Sequence, residues 1–124
     1  MRKIEEVPFE TIKPYGDIAR KEHILISPDF NYIACLLDDC IAGFCAYTIQ
    51  GDKATFRNDF VLPEYRMKGI YREMNDYRML LMKLKGVKRV EVNCKPTSLA
   101  LHIRNGGKIT RAFKYSTRVM YENI

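Results

Sequence analysis

The six residues Arg66-Met67-Lys68-Gly69-Ile70-Tyr71 combine two basic side chains, one glycine and the start of a helical pattern, directly after an apolar run that ends at Pro63. A glycine beside a helix N-terminus leaves backbone N–H groups without partners, and the helix dipole favours an anion there. The stretch therefore reads as a cradle for a phosphate, with Arg66 and Lys68 adding positive charge. It reads equally as an ordinary helix start with solvated basic side chains, and the residues alone leave both open. Upstream, Asp59 is a carboxylate among apolar neighbours in Thr55-Phe56-Arg57-Asn58-Asp59-Phe60. Such a group either has a shifted pKa or forms a salt bridge, here to Arg57 or Arg66. Alternation puts Asp59 and Val61 on one face of their strand, towards a cleft or towards the helices.

Other chemistries find little support. Cys35, Cys40, Cys45 and Cys94 form no CxxC pair, their spacing matches no common zinc pattern, and His23 and His102 lie far from them. They read as small buried hydrophobes of a reducing compartment. The order of residues carries no Ser-His-Asp arrangement and no nucleophilic cysteine signature.

Several elements must position these groups. Residues 8–22 are polar and predict one or two short helical turns, with Pro14 and Gly16 preventing a long helix. NYIACLL and IAGFCAYTIQ, separated by Asp38-Asp39, predict an antiparallel hairpin, and a second turn at Gly51-Asp52-Lys53 leads into a third strand that ends at Pro63. Ile70, Met74, Tyr77, Leu81 and Leu84 follow helical steps, and Gly86 closes that helix. KRVEVNCK is then a strand, Pro96-Thr97-Ser98 opens a helix running to about Asn105, Gly106-Gly107 ends it, and the tail reads as two strands or one bent hairpin. The expected class is α+β, a mixed sheet of about six or seven strands with helices on both faces.

A chain of 124 residues with 47% hydrophobic and 29% charged residues predicts one ordered domain over residues 1–124. MRKIEEVPFE carries no apolar secretory core and no run approaches about 18 apolar residues, so the expected location is cytoplasmic. Charge is uneven: residues 1–65 hold 7 Lys/Arg against 11 Asp/Glu, net −4, and residues 66–124 hold 14 against 4, net +10. A basic half of this kind suits nucleic acid, an acidic protein or the phosphates of a nucleotide-like cofactor.

The order of these elements, with VLPEYRMKGI and SLALHIRNGGK at their places in it, resembles the GNAT superfamily of N-acetyltransferases. VLPEYRMKGI is similar to the strand, proline and R/Q-x-x-G-x-G/A turn that binds acetyl-CoA, through Arg66 and Gly69. SLALHIRNGGK is similar to the S/A-x-x-L-H/Y-x-x-x-G-F segment, through Ser98, Leu101, His102 and Gly106. The resemblance covers about residues 24–124. It implies that strands 54–62 and 88–95 splay, that backbone groups of Phe60, Val61 and Leu62 pair with the pantetheine amides, and that the N–H groups of Met67, Lys68, Gly69, Ile70 and Tyr71 receive the pyrophosphate. Ser98 is carried over as a further cofactor contact. Tyr71 stands where the family has Gly or Ala. Its amide remains, but its ring either points away from the phosphates or fills the cradle. Gly107 replaces an aromatic and removes a packing anchor.

The implied reaction is attack of a neutral primary amine on the acetyl thioester of acetyl-CoA, with no metal. Amines of pKa about 10 must lose a proton first, and an acid near the sulfur protects the departing thiolate. The resemblance puts His102 at the position of the family's tyrosine acid, where it is either that acid or a structural feature of a helix near the cofactor. For the base, the strand itself offers Asp59 and the neighbouring turn Glu64, with Glu91 a weaker candidate. A non-catalytic relative that binds a CoA ester or a protein partner is the alternative, and a basic nucleic-acid-binding module is the third class. Relatives of this size often pair through their sheets, so a homodimer is the implied assembly. The amine acceptor is not legible in residues 1–30.

Overall fold

Asp38 and Asp39 both take positive φ, 50° and 69°, the two-residue turn whose twist matches that of paired strands. Around it a computed structural model, described for residues 2–124, pairs β2 (Asn31–Leu37) with β3 (Cys40–Gln50). Gly51 at φ 63° turns the chain into β4 (Lys53–Val61), antiparallel to β3. β1 (Arg2–Val7) adds to the free side of β2, where no strand was expected. β5 (Arg89–Cys94) then lies parallel to β4, and β7 (Thr117–Tyr121) and β6 (Lys108–Ala112) complete a seven-stranded sheet in the order β1-β2-β3-β4-β5-β7-β6.

The helices cover both faces, as expected. Residues 8–22 form α1 (Phe9–Ile12), a single 3₁₀ turn and α2 (Gly16–Arg20). Ile12 and Ala19 seal the face carrying Tyr32, Ala34, Phe44 and Phe60. α3 (Ile70–Leu84) crosses from β4 to β5 and covers the opposite face, that of Ile33, Cys35, Cys45, Tyr47 and Phe56; Leu99 of α4 (Pro96–Arg104) packs there too. The buried stripe of α3 differs from the expected one. It runs Ile70, Met74, Arg78, Met82, in steps of four, while Leu84 is 76% exposed. Arg78 is admitted to this stripe because a carboxylate meets it there. Cys35, Cys45 and Cys94 are buried and Cys40 is exposed; all are free thiols. Burial raises the thiol of Cys45 to about 12 and that of Cys94 to about 11.

Two irregularities build the site. β4 pairs with β5 only from Lys53↔Arg89 to Phe56↔Val92, yet β4 continues to Val61 and β5 to Cys94, so the strands part beyond that point. On its other side β4 carries a bulge, with Asn58 and Asp59 opposite Cys45 alone, and Asn58 at φ 55°. Simple alternation from Phe56 would send Asp59 to the α1/α2 face. The extra residue instead turns Asp59 towards α3, while the Asn58 amide donates to the Leu25 carbonyl and the Tyr32 hydroxyl. No helix among the described residues is long and apolar enough to cross a membrane.

Candidate active site

Gly69, at φ 79°, is the N-cap of α3, and no side chain among the described residues caps that helix. The first bond of the helix runs from the Glu73 N–H to the Gly69 carbonyl, leaving the amides of Ile70, Tyr71 and Arg72 ahead of it at the mouth. Met67, fully exposed at φ 65°, and Gly69 bend the turn on either side of Lys68. A β-carbon on Gly69 would meet only the Arg72 guanidinium, at 3.9 Å, so the space before the amides is open. A cavity of about 230 Å³ lies there, and Val61, Arg66, Met67, Gly69 and Tyr71 are among its lining residues.

Charge at this mouth is distributed differently from expectation. Arg66 lines the cavity, but its guanidinium is already engaged, donating through Nε to the Val61 carbonyl at 2.8 Å and through Nη2 to Glu22 at 2.6 Å. Arg72, a basic residue that no motif singled out, lines the mouth beside it. Arg2 braces the turn through Glu73 and through the Lys68 carbonyl. The backbone of β4 is likewise more committed than expected. Phe60 is paired with Phe44, and the Leu62 N–H donates to the Ala42 carbonyl. By alternation Val61 presents its groups to the open edge, where its carbonyl meets Arg66. Ser98 bonds the Lys95 carbonyl in the first turn of α4, apart from the residues lining the mouth.

Inside the mouth, where β4 and β5 separate, a chain of polar groups runs through the core. Arg78, 0% exposed, donates to Asp59 Oδ1 at 2.7 Å, to the Ala46 carbonyl at 2.9 Å and to Asn75 Oδ1 at 2.8 Å, and its guanidinium stacks 3.8 Å from the Phe56 ring centroid. Burial works against its charge, but Asp59 and Cys45 outweigh burial and hold its pKa above the ordinary value. The Tyr71 hydroxyl lies 2.7 Å from Asp59 Oδ2 and 2.8 Å from His102 Nε2, and His102 Nδ1 lies 2.7 Å from the Tyr121 hydroxyl.

Counting protons orders this chain. A carboxylate paired with a guanidinium only accepts, so the single Tyr71 proton goes to Asp59. His102 Nε2 must then be the donor to the Tyr71 oxygen. The Tyr121 hydroxyl lies close to both Nδ1 and, at 3.2 Å, the His102 carbonyl, so its one proton has two acceptors. Burial lowers the pKa of His102, an effect to which Arg78 adds and which Asp59 opposes, and this favours the neutral ring with its proton on Nε2 and Nδ1 accepting from Tyr121. Burial also raises the phenols of Tyr71 and Tyr121, with Asp59 the next cause for Tyr71 and Cys94 for Tyr121.

The two catalytic candidates are therefore brought together, facing one point now held by the Tyr71 oxygen. The weaker candidates are elsewhere: Glu91 is engaged by Lys53 and Arg118, and Glu64 is exposed in a 3₁₀ turn. Arg78, Asn75 and Tyr121 were missed. The available signal was Arg78 itself, a charge spaced four residues from both Met74 and Met82 on an apolar stripe. Among the described residues no group of three or more His, Cys, Asp or Glu side chains could hold a metal ion.

The model of the acetyltransferase (GNAT) family matches residues 1–106. No curated protein matches the sequence at a significant level. Among solved structures, the chain is similar to the PaiA N-acetyltransferase of Thermoplasma acidophilum in complex with coenzyme A, with a TM-score of 0.81 at 15% identity over 98% of this chain and 99% of that one. The ribosomal-protein-S18-alanine N-acetyltransferase of Escherichia coli superposes with a TM-score of 0.81 at 14% identity, covering 97% and 91%. The IAA acetyltransferase of Bacillus cereus gives 0.79 at 16% identity, covering 98% and 99%. At these identities the likeness is one of fold.

Proposed function

Because the chain belongs to the acetyltransferase (GNAT) family, we propose that it is an acetyl-CoA-dependent N-acetyltransferase acting on a primary amine, of a small molecule or a protein. The observation that carries this reading is the convergence of Asp59 Oδ2 and His102 Nε2, from β4 and α4, on one point beside the α3 mouth.

The residues fit such a donor. The uncapped amides of Ile70, Tyr71 and Arg72, with the turn from Met67 to Gly69, would receive the pyrophosphate. Val61, on the open edge of β4, would pair with the pantetheine amides once Arg66 releases its carbonyl. When bound, acetyl-CoA supplies an activated acyl thioester. Asp59 Oδ2 takes the proton that a protonated amine must lose, and Arg78 keeps that carboxylate aimed from behind. His102 holds a proton on Nε2 that faces the same point and would donate a hydrogen bond to the departing thiolate, while Tyr121 at Nδ1 keeps the ring in that orientation. Residues 1–124 act in this reading as one acyltransferase unit.

A second reading has its own observation. The Tyr71 phenol satisfies Asp59 and His102 together, as a protein that binds a CoA ester without turning it over would tolerate. Release of free thiol from acetyl-CoA, followed colorimetrically across a panel of small amines and lysine peptides, separates the two. The first reading expects amine-dependent release that Asp59→Asn lowers by about 10² or more. Stabilisation by acetyl-CoA with no thiol released by any amine would leave the binding protein.

A further inference from the structure

We propose that Tyr71 is a latch across the slot between β4 and α4, closed by its bonds to Asp59 and His102, and that it swings outward to admit the acyl-CoA arm. The inference rests on the acyl-CoA reading of the α3 mouth.

Geometry places the phenol in the way. β4 and β5 stop pairing after Phe56↔Val92, and the Tyr71 hydroxyl reaches Asp59 on the β4 side at 2.7 Å and His102 on the α4 side at 2.8 Å. The same residue is a wall of the cavity at the mouth. An extended arm entering past Gly69 and running between the parted strands meets this ring. The phenol also consumes the chemistry there, since it donates to the carboxylate that would take a proton and accepts from the imidazole N–H that would give one. Any group reacting at that point competes with the Tyr71 oxygen for the same two partners.

Opening leaves the remaining core intact. Tyr71 is the second residue of α3, so its side chain has no preceding helical turn to block a change of χ1, unlike one in the middle of a helix. Asp59 stays bonded to Arg78 through both oxygens, at 2.7 and 3.4 Å, and His102 stays bonded to Tyr121. Only the His102 Nε2 proton loses its acceptor. Arg66, which holds the Val61 carbonyl on the same edge, has the exposed Glu22 pair to retreat to.

A latch weakens binding by the fraction of time it is closed. One closed nine-tenths of the time raises the apparent Kd about tenfold. The test is equilibrium binding of CoA and acetyl-CoA, by calorimetry and by melting shift, to the wild type, Tyr71→Phe and Tyr71→Ala, each first shown folded by circular dichroism. Tyr71→Ala is expected to bind CoA about tenfold or more tighter than the wild type, with Tyr71→Phe between them. Should the alanine variant fail to fold, the phenylalanine variant, which keeps the ring and removes both bonds, is still expected to bind more tightly. Equal or weaker binding by the folded variants, with binding by the wild type, overturns the latch and leaves the acyl-CoA reading standing. Absence of binding by all three overturns both.

Discussion

His102 shows how a single buried residue can tie chemistry to stability. It is fully buried, neutral, and bonded at both ring nitrogens. Its folded pKa is depressed below 6.5, so as the pH falls the unfolded chain takes up this proton first. The stability it contributes is present above about pH 6.5 and is lost as the pH falls from there towards the folded pKa. Melting temperatures measured between pH 7.5 and 5 are expected to fall more steeply for the wild type than for His102→Gln, whose amide does not titrate; parallel profiles would contradict the assignment. At this scale His102 and Asp59 were legible, because a histidine in SLALHIRNGGK and a carboxylate inside an apolar strand stand out by type. The third member of the network was not. Tyr71 entered as a departure from a pattern, and nothing in a linear sequence says that its hydroxyl bridges residues 12 and 31 positions away. Arg78 was hidden by a rival helical stripe through Tyr77 and Leu81 that satisfies the same periodicity.

Elements were legible where turn chemistry and apolar runs agreed, as in the β2–β3 hairpin, the α3 crossover and the closing hairpin. β1 was not, because Arg-Lys-Ile-Glu-Glu-Val places only two apolar residues among four charges, a composition that suits an edge strand and hides it. The β4 bulge escaped for a related reason. Its one sign is Asn58, a residue that tolerates positive φ but occurs as readily in turns. Gly107 also takes a different meaning from the one its position suggested. A β-carbon there would lie 2.4 Å from Val119 Cγ1 and 2.9 Å from the His102 carbonyl oxygen, so the chain leaving α4 passes too close to β7 for any side chain. Gly107→Ala is expected to destabilise the fold by about 1–3 kcal/mol, measured by urea denaturation. A loss under about 0.5 kcal/mol, the usual range for surface changes, would contradict that account of the turn.

For the whole molecule, the opposite charges of the two halves are partly consumed within the fold. Arg66 meets Glu22, Arg78 meets Asp59 and Arg89 meets Asp52, each pair joining the basic half to the acidic one. The exposed pairs contribute little stability, and the buried one matters because an unpaired Arg78 would be costly. Part of the basic excess read from the sequence is thus structural, and the proposed function rests on the α3 mouth rather than on a basic face. A ligand held there at about 100 times its Kd adds about 2.7 kcal/mol, which on a chain of this size raises the melting temperature by about 10 °C. Gly69→Glu would project a carboxylate from the helix N-cap into the open space before the amides, at a backbone cost of about 1 kcal/mol from its positive φ. The most direct measurement is the melting shift caused by acetyl-CoA in the wild type and in folded Gly69→Glu. The account predicts a shift of that order in the first and none in the second; an equal shift in both would place the ligand elsewhere and contradict it.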